Sequence, residues 1–236
     1  MDKRLAVMQP YIFPYVGYLN LFQASSTFVF YDDVQFRKGS WINRNQIASK
    51  NEPILFTLPL IKASQNNLIS EKETFRLDIF SKKFVRQLSN VYGNSQYFDR
   101  GMDYVNSVLN SGLTKISDLA IKSVTDFFSL LNIKKDIVVS SRDFSSSKDM
   151  EKSNRLIWLT KELGYDTYLN PMSGAKLYSQ SYFAQNGIFL KFVEPIVSKY
   201  NQFNTQQFIP NLSLIDLMMN LSDAEMKKQI NSFRIL

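Results

Sequence analysis

The 236-residue chain contains no cysteine and no histidine. The first absence excludes disulfides, thiolate metal sites and a sulfur nucleophile. The second excludes a Ser-His-Asp triad, imidazole metal ligands and an imidazole base, so any proton transfer falls to Asp, Glu, Lys, Tyr or the substrate. A hard cation held by carboxylates stays compatible with the composition. No apolar run approaches the roughly 18 residues that cross a bilayer. The opening MDKRLAVMQP also lacks the apolar stretch of a signal peptide. The chain therefore reads as cytoplasmic and without membrane insertion. It shows no internal repeat and no low-complexity tract.

What is present suits a folded core. Nineteen Phe and 12 Tyr, with 44% hydrophobic and 21% charged residues, are ordinary for a globular protein. The length fits a single α/β domain over residues 1–236. The net charge of +7 suits an anionic ligand or a polyanionic partner. Part of that charge is local: Arg37, Lys38, Arg44 and Lys50 fall between Val34 and Asn51, where no acidic residue occurs.

Leu5 to Asn45 carries the densest pattern. An apolar strand, Leu5 to Met8, meets Gln9-Pro10; a helix is predicted over Val16 to Ala24; and a second strand runs from Thr27 to Tyr31, with Asp32-Asp33 at its exit. A right-handed βαβ crossover puts Gln9, Tyr11, Asp32 and Asp33 on one edge of a parallel sheet. Ser40 to Ile47 alternates and pairs with Pro53 to Leu58 as a hairpin, within a β-hairpin region at about residues 40–60. Ser64 to Ser70 reads as a surface loop and Thr74 to Asp78 as a short strand. Helices follow over Phe80 to Tyr92, Asp99 to Asn110 and Lys115 to Leu131, with Ser117 capping the last, which gives a helical subregion at about 80–131.

The alternation then resumes. It predicts a strand at Ile137 to Val139, a helix over Lys148 to Leu163, a strand at Thr167 to Leu169, a final strand at Gly187 to Val193, and a terminal helix from Ser213 to Leu221 with Asp216 in its first turn. Together these predict a Rossmann-like α/β fold: a mostly parallel sheet with helices on both faces and a helical middle insertion. The ligand edge would collect Gln9, Asp32, Asp33, Ser141, Arg142, Ser173, Gly174 and Lys176.

Each candidate residue carries two readings. Asp32 and Asp33 are the catalytic candidates, as a Mg²⁺-binding pair or as a base that frees an amine; the alternative is a solvated strand end. Arg37, Lys38 and Arg44 are suited to phosphate, or are ordinary surface charge. Trp41 stacks on a base or sugar, or packs in the core. Tyr11, Phe13, Tyr15 and Tyr18 are pocket wall or packing. Ser173 to Lys176, between strand and helix, forms an anion site or a plain helix cap. Arg142 and Asn43 complete the substrate-binding candidates, and no metal ligand set is assigned.

Met8 to Tyr18 (MQPYIFPYVGY), Tyr31 to Phe36 (YDDVQF) and Ser40 to Asn45 (SWINRN) together resemble the opening of the WbqC-like family. Ser173 to Tyr178 (SGAKLY), Gly187-Ile188 and Pro210 to Leu217 (PNLSLIDL) resemble its second half. The resemblance spans nearly the whole chain. It implies a role in bacterial surface-polysaccharide, or O-antigen and lipopolysaccharide, biosynthesis. A more distant resemblance, in Pro14 to Leu19, is to HIGH-motif nucleotidylyltransferases and pantothenate synthetase. Tyr15 and Tyr18 stand where that motif has histidines, and the resemblance would bring ATP with Mg²⁺ as cofactor.

These resemblances lead to an expected acyl or aminoacyl transferase acting on the amine of a nucleotide-linked amino sugar. Asp32 or Asp33 would take the amine proton, Arg44 and the Ser173 to Lys176 loop would hold phosphate, and Tyr11 and Trp41 would shape the sugar pocket. The rival expectations are an aminoacyl-tRNA-dependent transferase, which the positive charge favours, and a non-catalytic sugar-nucleotide binding or assembly protein.

Overall fold

The structure, a computed structural model, describes residues 3–50, 52–62 and 67–236. β1 (Arg4–Met8), α1 (Val16–Ala24) and β2 (Thr27–Phe30) form the opening unit. β3 (Arg44–Ile47) and β4 (Ile54–Thr57) pair antiparallel as a separate hairpin, Arg44 opposite Thr57. Then come α2 (Leu77–Tyr92), α3 (Phe98–Leu109), α4 (Ile116–Leu130), β5 (Asp136–Val139), the one-turn α5 (Ser140–Asp143) and α6 (Lys152–Glu162). β6 (Thr167–Pro171), α7 (Gln180–Gln185), β7 (Phe189–Pro195), α8 (Leu214–Asn220), α9 (Asp223–Ile230) and β8 (Phe233–Ile235) complete the chain.

The main sheet has the order β5-β2-β1-β6-β7-β8, parallel except for the β7–β8 pair. This is a Rossmann-like arrangement. Strand side chains alternate between faces, and the chain uses both. Ala6, Phe28, Phe30 and Leu169 enter one core with residues of α1 to α4, α8 and α9. Leu5, Val7, Val29 and Tyr168 enter the other with Leu156 and Leu159 of α6 and Phe183 of α7. Apolar residues on both faces are why these strands read as continuous apolar runs. The helical insertion closes on α1 through Phe22 and Phe128, whose rings stack at 4.3 Å.

Several local expectations are corrected. Thr74 to Asp78 is not a strand: Glu73 and Thr74 make only isolated bridges, to Lys115 and Leu60. Arg76 then takes φ 48° and α2 starts at Leu77. Ser117 lies inside α4, whose N-cap is Lys115. In the Ser64 to Ser70 loop, residues 64–66 lie outside the described residues. The remainder is tied down, with Phe36 N–H donating to the Asn67 carbonyl and Ile69 N–H to the Val34 carbonyl. β7 is not the last strand, because α9 and the antiparallel β8 follow it. No helix among the described residues is long and apolar enough to cross a membrane.

Candidate functional site

Strand order reverses between β1 and β6, so the loops leaving these two strands diverge at their carboxyl ends. That is where open α/β sheets bind ligands. Tyr31 N–H donates to the Met8 carbonyl (2.8 Å), and Phe30 is paired with Val139. Gln9, Asp32-Asp33 and Ser140-Ser141 therefore emerge side by side on that edge.

The first loop is held from three directions. Phe13 has φ 44°, a left-handed conformation that strains a bulky residue by roughly 1–3 kcal/mol. Its N–H donates to Ser123 Oγ (3.0 Å), and its carbonyl accepts from Asn45 Nδ2 and Ser213 Oγ, both at 2.8 Å. These bonds come from α4, β3 and the N-cap of α8, so packing over-determines the strained turn. Tyr18 is buried, its hydroxyl donating to the Gln9 carbonyl at 3.0 Å. Its ring lies 5.4 Å from that of half-buried Tyr11. Burial, then the neighbouring Tyr15 hydroxyl, pushes the Tyr11 phenol up to about 12, so both stay protonated at neutral pH. Tyr15 is half-buried and its phenol is also raised by burial.

Asp32 and Asp33 are both inside, 2% and 6% exposed. Asp33 receives a two-pronged contact from Arg155, Nη1 to Oδ1 at 3.0 Å and Nη2 to Oδ2 at 2.6 Å, with the Ser140 hydroxyl on Oδ1 at 2.6 Å. Asp32 accepts from Ser141 N–H (2.9 Å) and the Ser141 hydroxyl (2.7 Å), and its own N–H donates to Ser140 Oγ (3.2 Å). Arg155 is 0% exposed. Its Nε donates to Ser147 Oγ at 3.0 Å, and its guanidinium stacks 4.7 Å from the Tyr31 ring centre. Burial alone would lower its pKa; the Asp33 hydrogen bonds and the Tyr31 and Asp33 charges outweigh that and raise it.

The oxygens of both carboxylates are thus engaged, those of Asp33 by the Arg155 guanidinium and the Ser140 hydroxyl and those of Asp32 by Ser140 and Ser141. The donor set does not fit a divalent metal at this pair. The sequence pattern alone does not mark Arg155 as a partner of Asp33. A signal of burial was there, since it adjoins Leu156 and precedes Leu159 by four on the apolar face of α6.

The remaining candidates make other contacts or face solvent. Arg142 is largely exposed and pairs with Asp118 in the first turn of α4 at 2.5 Å. Asn43 is buried, its amide donating to the Leu58 carbonyl at 2.8 Å. Lys38, Ser173 and Lys176 are exposed. Trp41 is 41% exposed and lies under Arg44. Met172 to Gly174 form a 3-10 turn, and the next helix, α7, starts only at Gln180 with Ser179 as its cap. Ser173 to Lys176 therefore do not open a helix.

Gly174 packs so close to Asn170 that a Cβ would stand 2.0 Å from its Nδ2, and Asn170 Oδ1 accepts from the Tyr168 hydroxyl at 3.3 Å. Gly174→Ala should displace Asn170 and lower stability by about 1–3 kcal/mol. An unchanged urea midpoint would refute that packing.

The model of the WbqC-like protein family matches residues 9–228, from the crevice loop after β1 into α9. The chain belongs to the WbqC-like family. This WbqC-like protein is also 24% identical over 223 residues to the uncharacterized protein Rv1507c of Mycobacterium tuberculosis (strain ATCC 25618 / H37Rv), across 93% of this chain and 94% of that one. No solved structure matches it. The family match takes in the crevice loops, the Asp33–Arg155 pair and the Asp216 helix.

Proposed function

We propose that this WbqC-like protein is a cytoplasmic enzyme of surface-polysaccharide biosynthesis. It would join an acyl or aminoacyl group to the amine of an amino sugar carried on a nucleoside diphosphate. The observation that supports this reading is the strand reversal between β1 and β6, with a tyrosine-lined loop on one side and the Asn170 to Lys176 turn on the other. Tyr11 and Tyr15 form the wall against which the sugar rests, and exposed Lys38, Ser173 and Lys176 add positive charge and hydroxyl donors around the crevice.

Amide formation needs the amine freed of its extra proton. The amine nitrogen attacks the acyl carbon, the donor's oxygen or sulfur leaves with the bonding electrons, and Asp32 takes the proton. Asp32 is assigned because hydroxyl and amide donors alone contact it, whereas Asp33 anchors Arg155. Entry of the amine must part the Ser141 contact. The donor is an activated ester or thioester, a class that includes aminoacyl-tRNA.

Titration calorimetry with UDP- and dTDP-linked amino sugars, followed by mass analysis after adding candidate donors, tests this. The expected result is saturable binding and a product heavier by one acyl group. Binding without product from any donor would instead support a sugar-nucleotide binding or assembly protein, a reading that the burial of both carboxylates favours. An Asp32→Asn variant with wild-type turnover would remove the proton acceptor.

A further inference from the structure

Arg44 opens β3 with its guanidinium carbon 5.2 Å from the centre of the Trp41 ring. On its other flank is Gly39, at φ 78°, where an added Cβ would come within 3.7 Å of Arg44 Nη1 and 3.8 Å of Nη2. The left-handed turn that follows Lys38 thus folds back onto the guanidinium. Arg44 Nε and the Ser40 hydroxyl are both shut off from solvent with no hydrogen-bond partner among the described residues. No carboxylate lies in the sequence between Val34 and Lys50 to neutralise this turn.

Two orphaned donors on one turn, one of them part of a cation, are unfavourable as they stand. An anion with several acceptor oxygens would relieve both once the Gly39 turn parts to admit it. The planar guanidinium, pinned on the indole, is suited to forked contact with phosphoryl oxygens, and its rotamer is fixed before the ligand arrives. The turn also lies against the crevice. Ile12 N–H donates to the Ile42 carbonyl at 3.0 Å, and the Asn45 amide holds the Phe13 carbonyl. A phosphate on Arg44 would therefore be next to the loop that carries Tyr11.

We propose that the Gly39 to Arg44 turn is the pyrophosphate-binding site of this protein, taking the diphosphate of a nucleoside diphosphate ligand on Arg44 and Ser40. The proposal deepens the reading above and rests on it for the identity of the ligand. Arg44 supplies the charge and the fork. Trp41 sets the plane, and Ser40 supplies a third donor.

Inorganic pyrophosphate and UDP, titrated separately into wild type, Arg44→Gln, Arg44→Lys, Ser40→Ala and Arg76→Gln, provide the test, with thermal unfolding of each variant to confirm its fold. Arg76 lies over Phe75 and serves as a charge-matched control. Wild type should bind both ligands, and Trp41 emission, read in a Trp158→Phe background, should change on binding. Arg44→Gln should weaken both at least tenfold, about 1.4 kcal/mol. Arg44→Lys should fall between, since it keeps the charge and loses the fork. Ser40→Ala should weaken binding by a smaller factor, and Arg76→Gln should bind as wild type.

No pyrophosphate or UDP binding to wild type, wild-type affinity in Arg44→Gln, or equal weakening in Arg76→Gln would each overturn the site. The two readings fail separately. Arg44-dependent pyrophosphate binding without acylated product would leave this site standing and remove the reaction. Product formed by Arg44→Gln at wild-type rate and KM would do the reverse.

Discussion

Arg155→Met should destabilise the protein by about 3–5 kcal/mol, because it strands the Asp33 carboxylate in the interior without its counter-ion. In a chain of this length each kcal/mol shifts Tm by roughly 2–4 °C, so the midpoint should fall by about 6–20 °C. The size follows from burial. Arg155 is 0% and Asp33 6% exposed, and the two contacts at 3.0 and 2.6 Å replace water that neither group can recover while folded. Asp33→Asn alone should also be costly, since it leaves the guanidinium facing an amide. The double variant Asp33→Asn/Arg155→Met should recover most of the loss, because a buried pair contributes less net stability than either orphan removes. Urea unfolding of the four proteins gives the coupling energy directly. A loss below about 1 kcal/mol in Arg155→Met would mean that the pair is hydrated and that the edge is open where the structure is closed.

This ion pair also marks where sequence reading loses its grip. β1, α1 and β2 are legible because their signals are local: an apolar run, a proline-bounded loop, a 3.6-residue period and a second apolar run. The parallel sheet follows from their alternation, and so does the placing of Gln9, Asp32 and Asp33 on one edge. Arg155 lies 122 residues from Asp33, and a lone basic residue on a helix is by default solvated. Arg142, the more obvious basic residue at the same edge, finds Asp118 instead. Thr74 to Asp78 reads as a short strand in sequence, but only Thr74 makes an isolated bridge, to Leu60, and Arg76 turns the chain into α2. β8 is three residues long and owes its place to β7, so no period within it could announce it. The Ser173 to Lys176 turn has the composition of a strand-to-helix loop, yet the helix is delayed to Gln180.

Asp216→Asn should abolish a fall in stability that wild type shows as pH rises from the unfolded carboxylate value toward the raised folded one. Asp216 is 0% exposed in the first turn of α8. It accepts the Tyr92 hydroxyl at 2.9 Å on one oxygen, and the Tyr200 hydroxyl at 2.5 Å and Gln202 Nε2 at 3.2 Å on the other. Burial raises its pKa, and the hydrogen bonds from Tyr200, Tyr92, Gln202 and Asn220 offset only part of that. The folded protein therefore holds this proton more tightly than the unfolded chain. Between the unfolded value, about 4, and the raised folded value, the native state binds more protons, so stability falls as pH rises and levels off above that window. Subtracting the Asp216→Asn curve from wild type should isolate this fall, and parallel curves would refute it.

Asp216→Ala goes further, because two buried hydroxyls and an amide lose their acceptor at about 1–3 kcal/mol each. Gln202 also bonds the Ile209 N–H and carbonyl, so the segment from Tyr200 to Ile209 should loosen with it. That segment runs into Ser213, whose hydroxyl holds the Phe13 carbonyl and whose N–H donates to the Gln46 carbonyl. Amide exchange in Asp216→Ala should therefore rise beyond residues 200–213, at Phe13 and along β3, where the strained crevice loop loses one of its three restraints. Faster exchange confined to residues 200–213 would show instead that the crevice loop is held by Asn45 and Ser123 alone.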